Sequence, residues 1–224
     1  MQPTEQLRCS MKQPAMIPAN YWRGLCTLEY EYPWLTPGSI AALDELITPA
    51  FKVLEFGCGG STLFFSRRCK EVLSFETNSE WGARVQNDIS EKQINNVDLH
   101  LVSSLEQCVD IIGERQFDLV LVDCDDIRRL DLTKTVKAHV AAGGLLVIDN
   151  YDHFGCEHLD VSYFCGWGLA TFDDPYWLGR GTRIFSRDSS RPGFSRICHT
   201  RFGIPRRALV RLVRKLAARI ARLF

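Results

Sequence analysis

Five short apolar segments separated by helical patterns constrain the fold of this chain more than any other feature. They are KVLEF, VLSFE, VDLHLV, FDLVLVD and LLVID, at residues 52–56, 72–76, 97–102, 117–123 and 145–149. The stretches between them, at 61–69, 79–92, 104–112 and 130–142, are each long enough for two helical turns. Apolar strands that alternate with helices are typical of β-α-β units, in which helices cover both faces of a mostly parallel sheet. We therefore predict an α/β fold with a Rossmann-like, doubly wound sheet.

The alternation stops after residue 150. GLATFDD at 168–174 and TRIFSR at 182–187 flank a turn, and together they predict an antiparallel hairpin at the C-terminal edge of the sheet. Residues 1–32 are a polar lead-in, 33–188 the folded domain, and 189–224 a separate tail. The tail holds ten Arg or Lys and no acid, whereas residues 1–188 hold 17 basic and 27 acidic residues. The neutral chain therefore consists of an acidic body and a basic tail.

Composition limits where the protein works. No apolar run approaches the ~18–20 residues that span a bilayer, and the N-terminus shows no apolar core of a secretory signal. The nine cysteines are scattered and form no C-x-x-C pair, which favours reduced thiols over a disulfide framework or a zinc site. We expect a cytoplasmic protein.

Each of the five predicted strands has a polar residue at or next to its carboxyl end. These residues are Glu55, Glu76, Ser103, Asp123 and Asp149. Ligands of open α/β sheets bind outside the carboxyl ends of the strands, at the point where the strand order reverses. The set therefore predicts a ligand site at this edge, although solvated strand ends would give the same pattern.

The segment that follows the first strand indicates the kind of ligand. Gly57 and Gly59 allow the main chain to approach a ligand closely, and Ser61 is placed to cap the next helix. The dinucleotide pattern G-x-G-x-x-G fails at its last position, and the lysine of a phosphate-binding loop is missing. Glu55 would repel a phosphate but suits an ammonium group, and Glu76, at the second strand end, suits ribose hydroxyls. S-adenosylmethionine combines these features.

The same segments resemble a known family. VLEFGCGGST looks like the first motif of class I S-adenosylmethionine-dependent methyltransferases, and LSFET, FDLVLVDCDD and GGLLVIDN follow in that family's order. YPWLTPGSI and SFETNSEW also resemble bacterial methyltransferases of the family-24 type. The resemblance implies that Glu55, Gly57 and Gly59 lie against the methionine part of the cofactor. It implies that Glu76 holds the ribose and that Ser103 or Ser104 lies near the adenine, where many relatives have an acid.

A second resemblance concerns a metal ion. FDLVLVDCDD and GGLLVIDNYDH look like the segments with which catechol and caffeoyl-coenzyme A O-methyltransferases hold a divalent cation. The resemblance implies Asp123, Asp149 and Asn150 as ligands, and hard oxygen donors suit Mg²⁺. A bound cation would lower the pKa of an acceptor hydroxyl. The alternative is that Asp123 serves the cofactor or a helix cap and that Asp149 and Asn150 only turn the chain.

The lysine that such relatives carry three residues after the first aspartate is replaced by Asp126. The candidates for a general base are therefore Asp126 and His153, whose ordinary pKa suits proton transfer. The aromatic- and glycine-rich segment 151–181 could form the acceptor wall or an ordinary packed edge.

The tail is a candidate interaction surface. Leu209, Leu212, Val213, Leu216, Ile220 and Leu223 fall on one helical stripe, and arginines and a lysine fall on the other side. The pattern at 205–224 predicts a basic amphipathic helix, which is typical of contact with an anionic membrane surface. Docking on the acidic body, a dimer contact and nucleic-acid binding are the alternatives.

These observations lead to one expected function and two alternatives. We expect a methyltransferase that uses S-adenosylmethionine to methylate an oxygen of a sugar, a glycolipid precursor or another small hydroxylated acceptor at the inner membrane face, with or without a divalent cation. An aminopropyltransferase and a non-catalytic nucleotide-binding module are the alternatives.

Overall fold

A computed structural model describes residues 27–124, 129–152, 163–173 and 181–190, together with Cys156 and Leu159. Helices are α1 (Thr27–Tyr30), α2 (Pro37–Leu46), α3 (Gly60–Ser66), α4 (Ser79–Glu91), α5 (Leu105–Ile112) and α6 (Arg129–Val136), which is followed by a 3-10 turn at Lys137–His139. Strands are β1 (Lys52–Phe56), β2 (Glu71–Glu76), β3 (Val97–Leu101), β4 (Phe117–Val122), β5 (Val140–Asp149), β6 (Gly168–Phe172) and β7 (Thr182–Ser186).

The seven strands form one sheet in the order β3-β2-β1-β4-β5-β7-β6. The first five strands are parallel, and β7 runs antiparallel to both β5 and β6. This arrangement confirms the predicted doubly wound α/β sheet with an antiparallel C-terminal edge. The order reverses between β1 and β4, so their carboxyl ends flank the crevice in which such sheets bind ligands.

The strands are apolar on both faces because helices cover both faces. Along β1, the side chains of Val53 and Leu54 point to opposite faces, and both are fully buried. Residues of α2 and α3 pack on the face of Val53, and residues of α5 and α6 pack on the face of Leu54. The carboxyl ends of β1 and β4 are therefore supported by a hydrophobic core on each side of the sheet.

Helix α2 is joined to the far side of the sheet by buried hydroxyl groups. Thr36 lies just before Pro37, a residue suited to the first helical position. The Thr36 hydroxyl donates to the Ser39 hydroxyl at 3.0 Å, and the Thr36 amide donates to Thr182 Oγ1 at 3.3 Å. The start of α2 is thereby tied to β7.

Strand β5 begins earlier than predicted. Residues 140–142 were expected to end a helix, but the helical part stops at His139 and β5 starts at Val140. Val140 pairs with Phe117 of β4, and the register shifts before Leu145 pairs with Leu119. Gly143, with φ +73°, lies in this shift, where a side chain would be strained. The pairing of Val140 with β4 therefore outweighs the helical tendency of the two alanines that follow it.

Several predicted features lie outside the described residues. They are most of the lead-in, the turn of the late hairpin at 174–180, and the amphipathic tail at 205–224. In the part of the chain that is described, no helix is long and apolar enough to cross a membrane.

Candidate active site

The glycine loop after β1 crosses directly over the end of β4. Gly57 has φ +95°, and a Cβ placed on it would lie 2.5 Å from the carbonyl oxygen of Asp123. Its amide donates to Phe75 of β2 at 2.8 Å, while the Asp123 amide donates to Phe56 at 3.0 Å. Gly57 is thus required by the close approach of two chain segments, independently of any ligand.

Glu55 lies beneath this loop rather than on its surface. Its carboxyl group is fully buried, on the same face of the sheet as α3. Thr62 Oγ1 and Ser74 Oγ each donate to Oε2, at 2.5 and 2.7 Å. Burial raises the pKa of Glu55 to about 7, although the hydroxyls of Ser61, Thr62 and Ser74 act in the opposite direction.

Thr62 joins Glu55 to the glycine loop. Its hydroxyl oxygen accepts from the Gly59 amide at 2.9 Å while the hydroxyl donates to Glu55. Thr62 occupies the position at which a dinucleotide motif would have its third glycine. The expected capping role of Ser61 is wrong, because α3 begins at Gly60 and Ser61 already lies in its first turn. Ser61 is buried there, near Glu55.

Glu76 lies at the ligand edge and holds the loop from the side of β2. Its Oε2 accepts from the Cys58 amide at 3.1 Å, and its Oε1 accepts from the amides of Thr77 and Asn78 at 2.8 and 2.7 Å. A carboxylate has about four acceptor positions. Three main-chain donors therefore leave about one for a ligand, on Oε2.

Trp81, in the first turn of α4, is a site residue that the sequence reasoning missed. Its indole N–H donates to the Cys58 carbonyl at 2.6 Å, and its ring lies 3.5 Å from a Cβ placed on Gly59. The next residue, Gly82, leaves room for the side chains of Glu76 and Leu101. An aromatic residue five positions after the strand-end acid was the available signal, since the start of the following helix faces the loop.

The two serines after β3 form hydrogen bonds with the first turn of α5. Ser104 accepts from the Gln107 amide at 3.4 Å and caps α5, and Gln107 Oε1 accepts from the Ser103 amide at 2.8 Å. The Val102 amide donates to the Glu76 carbonyl at 2.9 Å. Ser103 is exposed and follows the end of β3, next to Glu76 at the end of β2.

The predicted metal ligands lie around a buried arginine. Arg129, at the start of α6, is 1% exposed, and its guanidinium donates to the carbonyls of Cys124 and Asp149. Its Nη2 lies 3.7 Å from Asp123 Oδ1. Only the folded structure reveals this residue, because nothing in the sequence distinguishes Arg129 from Arg128.

The carboxyl group of Asp149 points into the protein. Thr182 Oγ1 donates to its Oδ1 at 2.6 Å, and the amide nitrogen of Asn150 donates to its Oδ2. Burial raises the pKa of Asp149 to about 7, and the charge of Arg129 acts against that rise. Asn150 has φ +50°, a conformation that asparagine tolerates in turns. The pair therefore also has the geometry of a chain-turning element.

Within the described ranges, no three His, Cys, Asp or Glu side chains are grouped closely enough to hold an ion. Both candidate bases, Asp126 and His153, lie outside those ranges.

Comparison with known proteins agrees with this geometry. The chain has the sheet of a class I methyltransferase, and residues 54–151 match the family model described as a methyltransferase domain, Methyltransf_24. The resemblance to methyltransferases that the sequence indicated is thus confirmed. No curated protein is significantly similar to the chain.

Solved structures share the fold at low sequence identity. A proposed O-methyltransferase from Klebsiella pneumoniae is 16% identical, with a TM-score of 0.60 over 78% of this chain and 92% of its own. TomG, an O-methyltransferase from Streptomyces achromogenes involved in tomaymycin synthesis, was solved with S-adenosylmethionine. It is 17% identical, with a TM-score of 0.58 over 76% and 87%. An rRNA methylase from Streptococcus thermophilus is 16% identical, with a TM-score of 0.53 over 66% and 92%. Family and fold together support an S-adenosylmethionine-dependent methyltransferase.

Proposed function

We propose that this protein transfers the methyl group of S-adenosylmethionine to an oxygen atom of a small hydroxylated acceptor, such as a sugar or a glycolipid precursor. The observation that carries the proposal is the bond from the Cys58 amide to Glu76 at 3.1 Å. It joins the glycine loop and the strand-end acid into one rim at the switch point of the sheet. The O-methyltransferases among the structural neighbours support oxygen as the acceptor atom.

In this proposal Glu76 contacts the ribose. Its Oε2 has about one acceptor position left, so it accepts from one ribose hydroxyl rather than from both. Ser103 lies on the adenine side, and the main chain at Gly57 and Gly59 lies on the methionine side. Asp123 completes the rim from β4.

Glu55 has a different role from the expected contact with the ammonium group. Its carboxyl is fully enclosed, so it acts on the cofactor through Thr62 and Gly59. Glu55 Oε1 has no hydrogen-bond partner among the described residues. An ionised Glu55 would nevertheless attract the ammonium group across the loop, because protein screens charges less than water does.

The reaction needs one proton acceptor. As the acceptor oxygen bonds to the methyl carbon, the bond from that carbon to sulfur breaks, and S-adenosylhomocysteine leaves as a neutral thioether. The hydroxyl proton passes to a side chain, for which we propose His153 or Asp126. In the sequence, Asp126 follows the end of β4, which flanks the crevice, and His153 follows the end of the neighbouring strand β5. A base must come within hydrogen-bond reach of the acceptor hydroxyl.

The basic tail suggests that the enzyme binds its acceptor at a membrane surface. We propose that 205–224 binds an anionic membrane surface, on the evidence of its apolar stripe and opposing basic face. A lipid-linked sugar would then be presented to an enzyme that works from the cytoplasmic side.

Calorimetric titration with S-adenosylmethionine tests the central proposal. The wild type should bind in the micromolar range. Glu76→Gln should weaken binding roughly ten- to hundredfold, since a hydrogen bond to a charged group is worth about 1.5–3 kcal/mol. Glu71→Gln, at the opposite end of β2, is the matched control and should bind like the wild type.

Two results would redirect the assignment. A folded wild type that does not bind S-adenosylmethionine would overturn the proposal and favour a binding module for another nucleotide. Binding of decarboxylated S-adenosylmethionine in preference to the intact cofactor would favour an aminopropyltransferase.

A further inference from the structure

Arg129 lies where the resemblance to metal-dependent O-methyltransferases would place a cation. The residue is 1% exposed, and it is the only basic residue among the buried side chains of the described ranges. Its guanidinium donates to the carbonyls of Cys124, after β4, and Asp149, at the end of β5. A single positive group therefore joins the two strand ends from which metal ligands would come.

The donor set around this position does not fit a divalent ion. Asp123 Oδ1 lies 3.7 Å from Arg129 Nη2, so that carboxylate already faces a positive charge. Each oxygen of Asp149 already accepts from one donor, Thr182 Oγ1 or the Asn150 amide, and the carboxyl group is buried. A divalent ion bound between Asp123 and Asp149 would lie against the guanidinium, whose charge would repel it.

We propose that Arg129 takes the place of a divalent cation in this protein, so that Asp123, Asp149 and Asn150 bind no metal and methyl transfer is metal-independent. The inference that no metal binds here rests on the geometry alone. The inference that methyl transfer is metal-independent also rests on the proposed function. Arg129 is a positioning residue here. It fixes the ends of β4 and β5, as an ion bound to both would, but it offers no open coordination position for a substrate oxygen.

A consequence concerns how the acceptor is activated. A metal ion would hold the acceptor hydroxyl and lower its pKa, whereas a guanidinium committed to main-chain carbonyls cannot. A side chain must then remove the proton from the acceptor hydroxyl without help from a metal ion. In this inference Asp126 or His153 has that role.

Titration with Mn²⁺, followed by its electron paramagnetic resonance signal, tests the proposal without relying on activity. Wild-type protein should leave the Mn²⁺ signal free. Arg129→Ala removes the positive guanidinium group from the oxygens of Asp123 and Asp149. The variant should therefore bind Mn²⁺ at least about tenfold more tightly than the wild type does. Arg129→Ala with Asp149→Asn should lose about tenfold or more of that gain. Circular dichroism establishes that each variant is folded.

Stoichiometric Mn²⁺ binding to wild type that Asp149→Asn abolishes would overturn the proposal, and this arm needs no arginine variant to fold. A folded Arg129→Ala protein that still leaves Mn²⁺ free would also overturn it, because the arginine would then not be what excludes the ion. Calorimetry with S-adenosylmethionine on the same samples separates these outcomes from failure of the proposed function. Absence of cofactor binding is a failure of that function, while Mn²⁺ at Asp149 is a failure of this inference.

Discussion

Replacing Glu55 by glutamine should change how the stability of the protein depends on pH. The Glu55 carboxyl is fully buried, and burial raises its pKa from 4.5 to about 7. The fold therefore favours the protonated form, and the unfolded chain releases the proton at lower pH. The stabilisation from protonated Glu55 is complete below pH 4.5, and it is lost as the pH rises towards 7. Glutamine does not titrate and lacks this dependence.

The size of the effect follows from the two pKa values. A shift of one unit corresponds to about 1.4 kcal/mol. With pKa values of 4.5 and about 7, the wild type should lose about 2.5 kcal/mol more than Glu55→Gln between pH 5 and pH 8. Asp149 also has its pKa raised to about 7, but it titrates in both proteins and cancels in the comparison.

Urea denaturation of the wild type and Glu55→Gln at pH 5 and pH 8 measures the difference. The amide nitrogen of the new glutamine would occupy a buried position without a described acceptor, which lowers stability equally at both values of pH. Only the change between them is therefore diagnostic. Glu114→Gln, at an exposed position, is the control. If the difference between wild type and Glu55→Gln were the same at both values, the carboxyl would not be desolvated, and the described burial would be refuted.

Two further predictions concern the loop and the tail. Gly57→Ala should destabilise the protein by roughly 2–4 kcal/mol in urea denaturation, because its methyl group would lie 2.5 Å from the Asp123 carbonyl oxygen. Gly113→Ala, also at positive φ but with open space around it, should cost about 1 kcal/mol, and equal losses would contradict the steric argument. In the full chain, Arg211→Glu should weaken binding to phosphatidylglycerol vesicles by about tenfold or more, because one basic residue near such a surface contributes about 1 kcal/mol and the new acid is repelled. Sedimentation with neutral phosphatidylcholine vesicles is the control, and binding unchanged by the substitution would remove the membrane proposal.

The fold was predictable because local pattern and global topology agree along most of the chain. The apolar run at 52–56 is β1 to the residue, and its glycine-rich continuation marked the switch point before any contact was known. Strand β5 was the exception. Its first residues, Val140 to Ala142, follow a helical pattern, and the strand begins there because Val140 pairs with Phe117 of β4.

The site was less predictable than the fold, for a physical reason. Sequence showed which strand ends carry acids but not which way those acids point. Glu76 lies at the edge, whereas Glu55 lies under α3 because side chains alternate along β1. The burial of Arg129 depends on where α6 starts relative to two strand ends, and no local pattern records that.

The position of β7 affects the order in which the sheet can be completed during synthesis. Of the seven strands described, β7 is the last to leave the ribosome, yet it lies between β5 and β6 and pairs five residues with each. Until 182–186 has emerged, β6 has no partner in the sheet and the edge of β5 is open. An open parallel edge can pair with a neighbouring chain. Asp149 also lacks Thr182, its hydroxyl donor, during that interval. A nascent chain that pauses before Thr182 would therefore expose a nearly complete sheet, whose growing edge adjoins the unfinished half of the ligand site.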